Sequence, residues 1–422
     1  MKIELRSLAA LHREGTPKGI TSVCSAHPLV LRAALRFGQQ SDHTVLIEAT
    51  CNQVNHQGGY TGMRPDDFAA LVRNIAAQEK CPDELIVLGG DHLGPNPWRH
   101  LPAEDAMVEA SKMVDAYVRA GFRKIHLDAS MGCKGEPAAL DDETTARRAA
   151  QLARFAEEAA RRSGGTMPVY VIGTEVPPPG GADHALSTIE PTSPDAARQT
   201  IAIHRKVFAE AGLSDAFERA IGLVVQPGVE FGNHNVIIYD RTKSRGLSQL
   251  LDSEPRLVFE AHSTDYQGEA ALAELVQDGF PILKVGPELT FVLREALYAL
   301  DLIATDFLPD YGQRPLYHTM ESLMLSQPAH WNRHYAGPAA AQRLLRHYSL
   351  SDRIRYYWAT PEAQQAVDRL FTALRGKAVP LPLLWQHMPG ADHAAEVPLQ
   401  PEALLVGRIT RNLAAYNAAC AT

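Results

Sequence analysis

Eight short runs rich in Val, Ile and Leu mark the first two thirds of the chain, at 20–24, 44–47, 85–88, 124–127, 169–172, 222–225, 257–259 and 282–285. Near-continuous apolarity predicts parallel strands covered on both faces, because a half-exposed antiparallel strand would alternate. Between the runs the pattern turns helical. Pro65-Asp66-Asp67-Phe68 opens a helix with acids in its first turn, and further helices are predicted over 104–120, 142–162, 194–211 and 269–278. Strand and helix alternating in this way predict an α/β fold, a (β/α)8 TIM barrel. A doubly wound open sheet is the competing architecture. It is disfavoured because no Gly-x-Gly-x-x-Gly follows the first run and no Gly-x-x-x-x-Gly-Lys-Ser/Thr loop occurs.

Beyond residue 301 the strand signal ends, and helical patterns follow at 319–326, 339–347, 361–374 and 401–418. No Gly/Ser linker or charge run separates them from what precedes. The expected organisation is therefore a barrel over 1–300 carrying the active site, with a helical C-terminal extension over 301–422 packed on it. Pro380-Leu381-Pro382-Leu383-Leu384-Trp385 would brace that extension or meet another subunit. A length of 422 residues suits a barrel with such an addition. The net charge of −8 and the lack of any Lys/Arg run argue against a nucleic-acid partner. Met1-Lys2-Ile3-Glu4-Leu5-Arg6 is charged where a signal peptide is apolar, and no apolar run reaches membrane-spanning length. A cytoplasmic protein without membrane association is expected. The five cysteines form no Cys-x-x-Cys pair, so neither a disulfide framework nor a zinc knuckle follows.

In a barrel the C-terminal strand ends and the loops after them face one site. The chain places Cys24-Ser25-Ala26-His27 after the first run and Glu48-Ala49-Thr50-Cys51-Asn52-Gln53 after the second. Gly89-Gly90-Asp91-His92, Asp128-Ala129-Ser130, Gly173-Thr174-Glu175 and Gln226-Pro227-Gly228-Val229-Glu230 follow the next four. Glu260-Ala261-His262-Ser263-Thr264-Asp265 and Lys284-Val285-Gly286-Pro287-Glu288 close the set. A tight turn with Asp91 capping a helix, or a solvated acidic rim, would also use such residues. Acids at this density beside His92 and His262 fit a divalent-metal site better than a serine nucleophile, for which no Gly-x-Ser-x-Gly elbow exists. Glu260 and His262, two residues apart on a strand, point the same way, so one can ligate while the other orients it. Lys284 is the one lysine seen at a strand end, in position for a Schiff base, a phosphate or an ion pair. Ser263-Thr264 and Lys284-Val285-Gly286 occupy the region where many barrels hold a phosphate. Pro177-Pro178-Pro179-Gly180-Gly181 would close over a pocket or form a plain surface turn.

Five runs carry a resemblance: Ser22-Val23-Cys24-Ser25-Ala26-His27-Pro28, Glu48-Ala49-Thr50-Cys51-Asn52-Gln53-Val54-Asn55, Gly58-Gly59-Tyr60-Thr61-Gly62-Met63, Gly89-Gly90-Asp91-His92-Leu93-Gly94-Pro95-Asn96 and Gly173-Thr174-Glu175-Val176-Pro177. With these, the chain resembles, almost end to end, the accessory subunit family of class II D-tagatose-1,6-bisphosphate aldolase. Some members of that family interconvert D-tagatose 6-phosphate and D-fructose 6-phosphate at carbon 4. More distantly it is similar to catalytic class II aldolases, whose acid and metal-binding histidine match Asp91 and His92. Where those aldolases carry a second histidine, Gly228-Val229-Glu230-Phe231-Gly232 presents Glu230, and their third falls nearest Glu260, with His262 two residues later.

The resemblance implies a metal-dependent 4-epimerase working by retro-aldol and aldol steps. His92, Glu230 and His262 would be metal ligands with Glu260 as the alternate. Asp91 would exchange protons on one face and Glu175 or Glu48 on the other. Asn52, Gln53, Ser263, Thr264 and Lys284 would contact the phosphorylated ketohexose. A carboxylate in place of an imidazole hardens the donor set, so Mn, Mg, Ni or Co would serve beside Zn. The rival expectation is a non-catalytic subunit that stabilises a catalytic aldolase partner. A homo-oligomer is compatible with both.

Overall fold

Aliphatic residues at consecutive strand positions need cover on both sides, and the chain supplies it by closing eight parallel strands into a barrel inside a ring of helices. The computed structural model describes residues 2–173, 189–391 and 398–421. The strands are β1 (Ile20–Val23), β2 (Val45–Thr50), β3 (Ile86–Leu93), β4 (Lys124–Leu127), β5 (Val169–Gly173), β6 (Ala220–Val225), β7 (Val258–Ala261) and β8 (Ile282–Val285). They pair in chain order, and β8 returns to β1 with Ile20 opposite Ile282 and Ser22 opposite Lys284. Every apolar run became a barrel strand.

After the strands come the helices α1 (Pro28–Ser41), α2 (Pro65–Glu79), α3 (Ala103–Arg119), α4 (Asp142–Ser163), α5 (Pro194–Glu210), α6 (Arg241–Leu250), α7 (Glu269–Gln277) and α8 (Pro287–Phe307). Three of these, α1, α6 and α8, were not anticipated. For α8 the reason is physical: it is buried over most of its surface, so it lacks the polar stripe by which a helix is recognised. A small antiparallel hairpin, Glu230–Phe231 with Val236–Ile237, lies between β6 and α6.

Side chains alternate across each strand, and this sorts the barrel into layers. Ile125 and Leu127 pack outward in the main core, whereas Ile20, Leu46, Val171, Val258 and Ile282 form a separate apolar cluster inside the barrel. Two residues further along four of those strands stand Ser22, Glu48, Glu260 and Lys284, all buried. The interior is thus apolar at one end and charged toward the other. Gly89 on β3 is required here, since a Cβ at that position would sit 2.5 Å from Glu48 Oε1.

Two departures from a regular strand aim the third strand's chemistry. Asp91 and His92 lie within β3 and not in a turn after it, and the β3–β4 register shifts between Gly90 and Leu93. Neighbouring strand residues normally face opposite sides. The bulge, with His92 at φ 48°, turns both side chains to the barrel mouth.

After α8 the chain forms α9 (Pro315–Ser326), α10 (Ala339–Tyr348), a 3-10 turn (Arg353–Tyr357), α11 (Pro361–Leu374), α12 (Leu381–His387) and α13 (Pro401–Ala421). The last helix packs on α1, α7 and α8 and is tied to the barrel by Gly19 N–H donating to Cys420 O at 2.9 Å. Tyr416 lies 2.8 Å from Thr264 O and 2.7 Å from Glu288 Oε2 through its hydroxyl. On α12, Trp385 is half exposed. Among the described residues no helix is long and apolar enough to cross a membrane.

Candidate active site

A cavity of about 940 Å³ opens at the C-terminal ends of the strands. Asp91, His92, Asp128, His262, Ser263 and Lys284 line it from the barrel, Asn52 and Gln53 from the loop after β2, and Arg353, Arg355 and Tyr356 from the extension.

Donor atoms of Asp91, His92, His126 and His262 lie within 4.8 Å of one another, all four residues being buried. Each imidazole spends one ring nitrogen on an acceptor: His92 Nδ1 on Asp128 Oδ2 at 2.8 Å, His126 Nε2 on Gly173 O at 3.0 Å and His262 Nε2 on Glu260 Oε1 at 2.9 Å. Carboxylates and carbonyls only accept, so those nitrogens carry protons, and His126 Nδ1 in turn accepts the His92 backbone N–H at 3.1 Å. The same His126 Nδ1 also lies 3.1 Å from Asp91 Oδ1, acceptor against acceptor. Metal-binding histidines are oriented by this kind of outward donation.

Beneath the imidazoles lies a buried ionic layer. Lys124 Nζ bridges Glu48 Oε1 at 2.5 Å and Glu260 Oε2 at 2.7 Å, and Lys284 Nζ joins Glu48 Oε2 at 2.6 Å to Asp91. Burial alone would protonate Glu260, but Lys124 and Lys284 outweigh it and hold its carboxyl well below the usual range. Burial likewise opposes the charge of Asp91, and His92 and Lys284 reverse the outcome. For His262 burial wins, with Lys284 adding to it, and the imidazole falls to about 3. His92 goes the other way. Burial disfavours its charge, yet Asp91 and Asp128 raise it.

Before any imidazole is counted, four carboxylates (Glu48, Asp91, Asp128, Glu260) face two ammonium groups (Lys124, Lys284), an excess of two negative charges. Three imidazoles and a carboxylate within 4.8 Å of one another, together with that excess, fit a divalent cation, and imidazole-rich donors suit zinc, nickel and similar ions.

The family model of D-tagatose-1,6-bisphosphate aldolase subunit GatZ/KbaZ-like proteins matches residues 5–421. The chain belongs to the GatZ/KbaZ-like family. A protein of Agrobacterium fabrum named D-tagatose 6-phosphate 4-epimerase is 63% identical over 415 residues, 98% of either chain. The crystal structure of a Sinorhizobium meliloti 1021 protein, described as a probable tagatose 6 phosphate kinase, matches with a TM-score of 0.88 at 52% identity, covering 96% of this chain and 100% of that one.

Against this GatZ/KbaZ-like background, the anticipated residues separate by depth. His92 and His262 join the four-residue cluster, while Glu260 sits behind His262 as its hydrogen-bond acceptor. Glu230 is not one of the four. It is fully buried in the hairpin, its Oε1 accepts the Phe231 N–H at 2.9 Å, its Oε2 has no hydrogen-bond partner, and burial pushes its carboxyl up to about 7. Asn52, Gln53, Ser263 and Lys284 reach the cavity wall. Thr264 stays behind it, its hydroxyl donating to Lys284 O at 2.6 Å. Glu175 and the loop Pro177–Gly181 fall outside the described residues.

Sequence reasoning assigned no role to His126, Lys124, Asp128, Arg353 or Arg355. For the first two a signal existed. Lys124 and His126 alternate with Ile125 and Leu127, so a strand taken as uniformly apolar carries a polar face directed into the barrel.

Proposed function

We propose that this protein is a divalent-metal-dependent D-tagatose 6-phosphate 4-epimerase, converting its substrate to D-fructose 6-phosphate by cleaving and remaking the C3–C4 bond. The hydrogen on carbon 4 lies β to the ketone and is not acidic, so direct deprotonation is slow and a retro-aldol route avoids it. The observation that carries the reading is the cluster of Asp91, His92, His126 and His262, three of which line the cavity, with each imidazole held by an outward hydrogen bond. The 63% identity to a protein of that name supports it.

His92, His126 and His262 would hold the ion, which when bound supplies an electrophile for the negative charge that C–C cleavage places on the ketose oxygens. Asp91, paired with the Lys284 ammonium, accepts the C4 hydroxyl proton as the bond breaks and returns it on re-addition. Lys284 holds Asp91 in place, and Glu48 holds Lys284 through its 2.6 Å contact. The cavity, walled by the extension, keeps the aldehyde fragment long enough to turn its other face before the bond re-forms.

Purified protein with Mn, Ni, Co, Zn or Mg and D-tagatose 6-phosphate is expected to yield D-fructose 6-phosphate, and His92→Ala to abolish it. Absence of product with every metal defeats the proposal. Full activity of a co-expressed aldolase complex carrying His92→Ala, with no epimerisation by the wild type, would establish the stabilising-subunit role instead.

A further inference from the structure

Many barrels bind a substrate phosphate at the amide groups that begin the helix after the last strand. Here a carboxylate already occupies those groups. Asp265 Oδ1 accepts the Gly286 and Glu288 N–H groups at 3.1 and 2.7 Å, and Glu288 adds a second acid at the same helix start. Lys284, the cation expected to help, is in contact with Glu48, Asp91 and Glu260. A phosphate placed there would meet acids on two sides and find its donors taken.

The extension offers the opposite surroundings. Arg355 reaches the cavity with Nη1 on the carbonyls of Ser351 and Asp352 and Nη2 on the Tyr356 hydroxyl at 2.9 Å. Among the described residues it has no ion pair with a carboxylate. Arg353 lines the same cavity two residues earlier, and both guanidinium groups lie against the Tyr356 ring, at 5.4 and 4.5 Å from its centroid. The turn that carries them is fixed from behind by the buried ion pair of Arg294 Nε with Asp352 Oδ1 at 3.0 Å and by the Tyr266 hydroxyl donating to Leu350 O at 2.7 Å. A planar guanidinium with several donors matches a phosphate better than any group left near β8.

We propose that the 3-10 turn Arg353–Tyr357 is the phosphate clamp of this site, with Arg353 and Arg355 binding the phosphate end of the substrate while the carbonyl end lies at the imidazole cluster. The identity of the sugar rests on the epimerase reading; the anion site does not. On this view the extension completes the active site.

The test compares wild type with Arg353→Gln, Arg355→Gln and the charge-keeping Arg355→Lys. Calorimetric titration uses inorganic phosphate and D-tagatose 6-phosphate, and turnover is measured with D-tagatose 6-phosphate and D-tagatose. Each Gln variant is expected to lose roughly tenfold or more in phosphate affinity and to raise KM for the phosphorylated ketose more than it lowers kcat. The ratio of kcat/KM for phosphorylated over free ketose falls with it, and Arg355→Lys recovers part of the loss. A merely structural role would leave that ratio unmoved. Wild-type phosphate affinity in both folded Gln variants overturns the clamp, as does a wild type that binds no phosphate. Phosphate binding lost in the variants of a protein that epimerises nothing sustains the clamp and sinks the epimerase; epimerisation with unchanged phosphate binding does the reverse. Melting curves accompany each variant, and should Arg355→Gln fail to fold, Arg353→Gln and Arg355→Lys carry the same readouts.

Discussion

His92 Nδ1 donates to Asp128 Oδ2 at 2.8 Å, and His92 itself stands at φ 48°, a left-handed conformation uncommon for a residue with a Cβ. Such a conformation costs about 1–3 kcal/mol and persists where the surroundings over-determine it. Asp128 is part of what holds it. Asp128→Asn is expected to weaken binding of a divalent ion by about 10- to 100-fold, by leaving the ring less firmly aimed. Competition with a chromogenic chelator measures this, and an unchanged affinity would show that the pair has no part in metal binding.

His126 separates the present donor set from one built on Glu230. In His126→Ala, metal content after gel filtration should drop below one ion per chain, and added metal should no longer raise the melting temperature as it does in the wild type. Glu230→Ala should keep both properties. The opposite pattern would return Glu230 to the ligand set and remove His126.

Lys124 is fully buried between Glu48 and Glu260. Replacing it with Met leaves Glu48 and Glu260 with Lys284 as their one remaining shared cation, a loss of about 3–5 kcal/mol in unfolding free energy. Urea denaturation gives the value directly. A change below about 1 kcal/mol would mean that the layer is hydrated or protonated.

Glu230 sets a pH dependence whose sign can be worked out. Its folded value of about 7 lies above the ordinary 4.5, so between those limits the folded state binds a proton that the unfolded state has lost. The group's contribution is fully present below about pH 4.5 and is lost as pH rises through 7. Glu230→Gln removes the titration. Relative to wild type, the metal-free variant should therefore gain stability steadily across that window by up to about 3 kcal/mol and level off above it. A difference that stays flat from pH 4.5 to 7 contradicts this.

The barrel was legible because near-continuous apolar runs at regular spacing admit few arrangements, and the Asp91-His92 dipeptide identified the site because its chemistry is unusual at a strand end. Less legible was depth. Glu48 and Glu260 looked like rim acids but lie inside β2 and β7, in a layer that Lys124 and Lys284 balance. Their charges are tolerated only because partners on β4 and β8 converge on them, and no local pattern contains that convergence.

The amino-acid order alone determined the strand count, the alternation with helices, the absence of a nucleotide-phosphate loop and the identity of several polar groups at the barrel mouth. These follow from periodicity and residue type, which are local. Only the tertiary structure decided that His126 completes the imidazole cluster, that Asp265 fills the expected phosphate cradle and that Arg353 and Arg355 reach the cavity from far along the chain. Those outcomes depend on barrel closure, a β3 bulge and the docking of the extension, which bring residues more than two hundred positions apart into one cavity.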